Sequence, residues 1–264
     1  MKSVLTLAVV AAFAAPAFAG SVSNTNGLNV RTRIFNDFPS STLSVTNNYP
    51  SSLRITENPF GAADPDGNGF ANRHSAYFSN DGGTTANDID YVDGFDAEVT
   101  LDLTADFPAG KEAGFHTDLF GFGFFGVLPN GEIAAFGSIL PFKTFGNVWT
   151  PGQQVTLRMI LTPGDGNGLP GNTWTIPSTI EYIYDLGSGP VSSGAIPFTN
   201  GEGGVPSAFP FFVGVGVQNG QAGLGGGSDA LFSNFKVSGV SPVPAPGAAA
   251  MLGLAGLAGL RRRR

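Results

Sequence analysis

The densest group of oxygen ligands in this 264-residue chain is Asp64-Pro65-Asp66-Gly67-Asn68-Gly69. Alternating oxygen side chains followed by glycine match the first half of an EF-hand loop, where such side chains converge on calcium. The twelfth position is Ser75 rather than a bidentate Glu, and no flanking helices are readable in the sequence. The pattern therefore predicts an oxygen-ligand loop on a β scaffold, with Asp64, Asp66 and Asn68 as calcium ligands. The competing reading is an Asx-rich turn whose side chains bond their own backbone. Asp88, Asp90 and Asp93 form a second acidic group, and Asp165-Gly166-Asn167-Gly168 repeats the turn chemistry with one acid fewer.

Catalytic constellations are scarce. The chain has two histidines, His74 and His116, no cysteine, no HExxH and no G-x-S-x-G. His74 neighbours Ser75, but adjacent strand residues point to opposite faces. Gly121-Phe122-Gly123-Phe124-Phe125-Gly126 has the letters of a dinucleotide fingerprint. Pro129 and Asn130-Gly131 leave no room for the helix whose N-terminus would cradle phosphate. Asp96, Glu98 and Asp102 share one strand face, whereas glycoside hydrolysis needs two carboxylates opposed across a sugar. These carboxylates are expected to be solvated, and the chain to be non-catalytic.

The elements that must position these residues are strands. Phe95, Ala97, Val99, Leu101 and Leu103 alternate with Asp96, Glu98, Thr100 and Asp102. Val155, Leu157, Met159 and Leu161 form a second apolar line. Ile180, Tyr182 and Tyr184 form a third, and Leu231, Ser233, Phe235 and Val237 a fourth. In Phe120-Gly121-Phe122-Gly123-Phe124 the phenylalanines share a face opposite the glycines. In the run from Phe211 to Val217, Phe211, Val213, Val215 and Val217 oppose Phe212, Gly214, Gly216 and Gln218. Repeated strand glycine signals a bend or a close approach. Turn clusters such as Asp81-Gly82-Gly83 and Pro163-Gly164-Asp165-Gly166 separate the strands. With 39 Gly and 19 Pro and no fixed-period repeat, one antiparallel β-sandwich is the simplest solution.

Both ends read as targeting segments. Met1-Lys2-Ser3 is a basic start, Val4 to Ala15 is small and apolar, and Ala17 and Ala19 have the spacing that signal peptidase accepts. Residues 1–19 thus read as a signal peptide cleaved before Gly20. Residues 20–240 are the exported domain. Residues 241–264 comprise a Pro-rich motif with Pro244, Ala245 and Pro246, an apolar helix over 247–260, and Arg261, Arg262, Arg263 and Arg264. Fourteen helical residues reach about 21 Å against a hydrocarbon core of about 30 Å, and the arginines would stay cytoplasmic. This order of parts resembles the PEP-CTERM sorting signal, with Ala245 where the family name has Glu. The resemblance implies an exosortase-like membrane enzyme as partner and delivery to the cell surface or an extracellular polysaccharide matrix, with at least transient anchoring by the C-terminal helix.

Removing Lys2 and the four terminal arginines from 13 basic residues leaves 8 against 20 acidic ones, a net charge of −12 for the exported part. That balance disfavours nucleic acid and anionic lipid as partners and favours cations or neutral sugars. The absence of cysteine means that an exported fold must rest on its core alone. Asp93-Gly94-Phe95-Asp96-Ala97-Glu98-Val99 and Asp229-Ala230-Leu231-Phe232-Ser233-Asn234-Phe235-Lys236-Val237 make the domain similar to concanavalin-A-like and laminin-G-like jelly rolls. Such modules bind sugars, often with calcium. The expected role is a structural or adhesive surface component. A calcium-assisted lectin-like module is the first alternative, and a polysaccharide-active enzyme the second.

Overall fold

The computed structural model describes residues 21–58, 69–90, 93–105, 111–119, 121–164, 176–204, 207, 210–220 and 227–240. The signal segment, the calcium-loop residues Asp64, Asp66 and Asn68, and the sorting tail from 241 lie outside them. Fifteen strands are present among the described residues. The first five are β1 (Gly27–Asn36), β2 (Thr42–Asn48), β3 (Ser52–Asn58), β4 (Ala71–Ser79) and β5 (Phe95–Ala105). β6 (Lys111–Asp118), β7 (Gly123–Val127), β8 (Glu132–Gly137), β9 (Lys143–Asn147) and β10 (Val155–Thr162) follow. β11 (Thr179–Asp185), β12 (Val191–Ser192), β13 (Ile196–Pro197), β14 (Phe212–Gly220) and β15 (Ser228–Gly239) complete the set. Among the described residues no helix is long and apolar enough to cross a membrane.

The strands form two antiparallel sheets. One runs β1-β4-β14-β6-β7-β8-β9, and the other runs β12-β11-β10-β5-β15-β3-β2 with β13 beside β11. Their facing surfaces make a single core. Phe95, Ala97, Val99, Leu101 and Leu103 of β5 and Val155, Leu157, Met159 and Leu161 of β10 enter it, as the alternation predicts. So do Ile180, Tyr182 and Tyr184 of β11 and Val213, Val215 and Val217 of β14. Each fully buried side chain of this size contributes about 1.5–3 kcal/mol. Tyr182 shows how a polar tip is accommodated: its ring packs 5.0 Å from Phe125, and its hydroxyl donates to the Pro141 carbonyl at 3.1 Å.

The fourth apolar line requires a correction. Along β15 the core residues are Ala230 and Phe232, so Leu231 and Ser233 lie on the other face. Asn234 adopts a left-handed φ of 54°, and the register against β5 shifts between Ser233 and Lys236. One extra residue in a bulge reverses which side chains face inward. Beyond it Phe235 and Val237 do pack against the core.

One position on the inner face is a carboxylate. Glu57 continues the inward row of Leu53 and Ile55 on β3 and has no exposure. Its Oε1 accepts from Ser41 Oγ at 2.5 Å and Asn72 Nδ2 at 2.7 Å. Its Oε2 accepts from His74 Nε2 at 3.1 Å and Asn219 Nδ2 at 2.6 Å. The Arg33 amide donates to His74 Nδ1 at 3.0 Å, which leaves the imidazole proton on Nε2, facing Glu57. Burial works to raise the Glu57 carboxyl, but the hydrogen bonds from His74, Ser41 and Asn72 outweigh it and hold the carboxyl at about 2. A charged group of the eight-stranded sheet thus ties β4 and β14 of the opposite sheet.

Candidate functional site

The two outer faces of the sandwich differ in chemistry. On the eight-stranded sheet the exposed cations are matched. Arg54 meets Asp229, with Nε to Oδ1 at 2.8 Å, Arg158 meets Asp96 at 2.5 Å, and Lys236 meets Glu98 at 2.6 Å. Asp96 and Glu98 therefore serve as ion-pair partners on a wet strand face, where each pair contributes roughly 0–1 kcal/mol. Asp102 adds its charge to the surroundings of Arg54.

The outer face of the seven-stranded sheet is instead aromatic, with polar groups buried among the rings. Two cross-strand rows organise it. Tyr77, Gly214, His116, Phe124 and Phe136 are successive register partners across β4, β14, β6, β7 and β8. Beside them run Ser75, Gly216, Gly114, Gly126 and Ala134. The second row bears no large side chain, and the first row fills the space above it. A Cβ on Gly216 would lie 2.4 Å from His116 Nδ1 and 2.4 Å from the His74 carbonyl oxygen. Glycine is thus required for the His116 ring to lean across and meet Ser75 Oγ at 2.8 Å.

Arg73 is placed by the same arrangement. It pairs in register with Gln218, whereas Asp118 pairs with Phe212, six residues further along β14. The Arg73 side chain nevertheless reaches Asp118, with Nη2 to Oδ2 at 2.8 Å. The Tyr77 hydroxyl donates to the same oxygen at 2.9 Å. The guanidinium carbon lies over the rings of both Phe35 and Phe122, 4.6 and 4.5 Å from their centroids. Phe122 also packs edge-on to His116 at 5.2 Å, and Phe124 lies 5.9 Å away. Arg31 lies over Phe212 at 4.7 Å and Tyr77 at 5.2 Å.

Burial sets the protonation of this face. His116 is pushed well below the usual imidazole range, first by desolvation, then by the charge of Arg73 and by His74. It is neutral at physiological pH. Burial also raises the Tyr77 phenol, so that Tyr77 remains a donor. The Glu112 carboxyl, bonded by Gln218 Nε2 at 2.7 Å, is pushed up to about 7 by burial.

At the edge of this buried cluster the surface is open. Phe35 is 42% exposed and Phe70 59%, and their rings meet edge-to-face at 6.3 Å. Leu119, also exposed, directly follows Asp118.

Of the residues singled out in the sequence, Ser75 and His116 come together, while His74 points to the core, as strand alternation requires. Phe122 and Phe124 share the outer face as expected. Asp93 accepts the Asp90 amide at 2.9 Å, and the described residues contain no group of three or more His, Cys, Asp or Glu placed to hold a metal. Arg73, Tyr77 and Asp118 carried no local signal: the three belong to two strands some forty residues apart, joined only through β14.

No protein-family model matches the chain, and no curated protein matches it. Among solved structures, lectin II from Ulex europaeus is similar at 11% identity and a TM-score of 0.44, covering 84% of this chain and 97% of the lectin. A family 7 alginate lyase, A1-II′, aligns at 10% identity and a TM-score of 0.44, covering 76% of this chain and 83% of the lyase. A functionally unknown protein from Saccharomyces cerevisiae aligns at 11% identity and a TM-score of 0.43, covering 78% of this chain and 99% of its own.

Proposed function

We propose that the protein is an exported component of the cell surface or extracellular matrix, delivered by its C-terminal sorting signal, and that its sandwich holds polysaccharide without catalysis. The observation that carries this reading is the open pair Phe35 and Phe70 beside the Phe35–Arg73–Phe122 cluster. Exposed rings next to oriented polar donors suit the alternating apolar faces and hydroxyl edges of sugars. The signal segment with Ala17, Ala19 and Gly20 supports export. Pro244, Ala245 and Pro246, the apolar stretch 247–260 and Arg261 to Arg264 support sorting by an exosortase-like enzyme.

Fractionation of the native cells tests both halves. The mature chain is expected to begin at Gly20, to end near Pro244 to Gly247, and to remain with the polysaccharide fraction. A variant carrying Phe35→Ala and Phe70→Ala should be processed normally but released into the medium. Retention of that variant in the matrix would remove the site, and unchanged processing after deletion of Arg261 to Arg264 would remove the sorting signal.

A calcium-assisted version of the same reading rests on proximity in sequence: Asn68 precedes Phe70 by two residues. A cation held by Asp64, Asp66 and Asn68 would fix the approach to that ring. Calcium should then raise the melting temperature of the wild type but not of Asp66→Ala, and an equal rise in both would discard the loop as its site.

A further inference from the structure

Two inward positions at one end of the core carry the groups of an amide-forming reaction. Lys111 opens β6 and is fully buried, and so is Asn219 near the end of β14. The two are direct register partners. Lys111 falls on the side of Ala113 and Phe115, and Asn219 on the side of Val215 and Val217, so both belong to the inner face. Directly opposed residues have Cβ atoms about 4.5–5.5 Å apart, a gap that the four-carbon stem of lysine spans. Rotation about that stem is enough to bring Nζ to the Asn219 Cγ, with no movement of either strand.

The third group comes from the opposite sheet. Asn219 Nδ2 donates to Glu57 Oε2 at 2.6 Å, while Asn219 Oδ1 has no partner. The amide is thus held through the nitrogen that would leave, and a carboxylate sits where that nitrogen must receive a proton. Asn72, the register partner of Asn219 on its other side, donates to Oε1 of the same carboxylate at 2.7 Å and fixes it in place. Lys111, Asn219 and Glu57 have no exposure, which keeps water from competing for the carbonyl carbon. No ligand has to enter, because nucleophile, electrophile and carboxylate all belong to the chain.

We propose that Lys111 and Asn219 join in an isopeptide bond, with Glu57 as the proton carrier, so that β6 and β14 become covalently linked. Nζ passes a proton to Glu57 Oε2, and its electron pair attacks Cγ. The carbonyl π pair moves onto Oδ1 and returns as the Cγ–Nδ2 bond breaks, with Glu57 delivering the proton to Nδ2. The second proton lost from Nζ leaves with the ammonia. The ammonium of Lys111 and the carboxamide of Asn219 thus give a secondary amide and an ammonium ion, with nothing oxidised or reduced and Glu57 restored. The hydrogen bond from Nδ2 belongs to the state before closure, and stability differences that arise from the hydrogen bonds of Glu57 refer to that state. The inference is independent of polysaccharide binding: a cysteine-free chain gains a link that reduction cannot open.

The intact mass of the full chain, referred to its measured termini, tests the bond. Closure removes about 17 Da, the mass of ammonia. A succinimide at Asn219-Gly220 would remove the same mass, so the unfolded protein is also digested with trypsin. The cross-link should block cleavage after Lys111 and leave one branched peptide that contains both residues. Lys111→Arg, Asn219→Ala and Glu57→Gln should each keep the full mass and give linear peptides only. Because these substitutions sit in the core and can disturb folding, the branched peptide of the unaltered chain is the deciding readout. Full mass in the unaltered chain after prolonged incubation at neutral pH would overturn the inference, and so would the mass loss with normal cleavage after Lys111. A branched peptide that persists in Glu57→Gln would overturn the role given to Glu57.

Discussion

Glu57→Ala is expected to lower the stability of the domain by about 3 kcal/mol at neutral pH, because buried His74 Nε2 and Asn219 Nδ2 lose their acceptor, each at a cost of roughly 1–3 kcal/mol, while Ser41 Oγ and Asn72 Nδ2 keep the Phe38 carbonyl. Ser41, Asn72, His74 and Asn219 are all buried, so none can turn to bulk water. For a domain of this size that loss corresponds to a fall of roughly 6–12 °C in melting temperature. Glu57→Gln should recover only part of it, since an amide presents a donor to at least one of the existing donors. The effect also has a defined pH dependence. The folded carboxyl lies at about 2, below its ordinary value of 4.5. Its stabilisation is therefore complete above the ordinary value and disappears as pH falls through the folded one. Melting curves of wild type and Glu57→Ala should accordingly converge as the pH approaches 2. A constant gap across that window, or no gap at pH 7, would show that the carboxylate does not hold the sheets.

The second large effect is expected at Gly214. A Cβ there would lie 2.0 Å from the Ala76 carbonyl oxygen and 2.4 Å from Tyr77 Cα, both backbone atoms of the neighbouring strand. No side chain can swing aside to relieve such a contact, so β14 and β4 must separate. Gly214→Val should therefore cost about 3 kcal/mol, the upper part of the usual range for overpacking. The damage should extend to the surface, since Gly214 lies in register between Tyr77 and His116. Loss of polysaccharide retention together with a lowered melting temperature is the expected pair of results. A valine variant as stable as the wild type would mean that the strands have more slack here than their register shows.

Much of the scaffold was legible in the sequence because period-two patterning is local. The inward sets on β5, β10, β11 and β14 are those that alternation predicts. β15 deviates where Asn234 bulges, and apolar spacing cannot show a bulge when Ala230, Leu231 and Phe232 are all apolar. Glu57 lies between Thr56 and Asn58, and that polar surrounding gives no local mark of a core position. Only the opposite sheet, arriving from residues 72, 74 and 219, makes it a core position. The face bearing Arg73 was hidden for the same reason. The glycines of β14 were recognisable as a close approach, but what approaches is His116 from β6. The identity of that neighbour is fixed by strand order, which a single sequence does not spell out.

The position of the last described strand bears on how the molecule responds to force. β15 is not at a margin: it lies between β5 and β3, and its exit is secured where the Val240 amide donates to the Gly94 carbonyl at 3.0 Å. Its bonding to β5 extends from Ser228 to Gly239. Traction along the strand axis at Val240 would therefore load this ladder in shear, with many bonds strained together, whereas a marginal strand can be peeled away one bond at a time. A chain held by its C-terminus in flowing liquid would thus be gripped at the middle of a sheet.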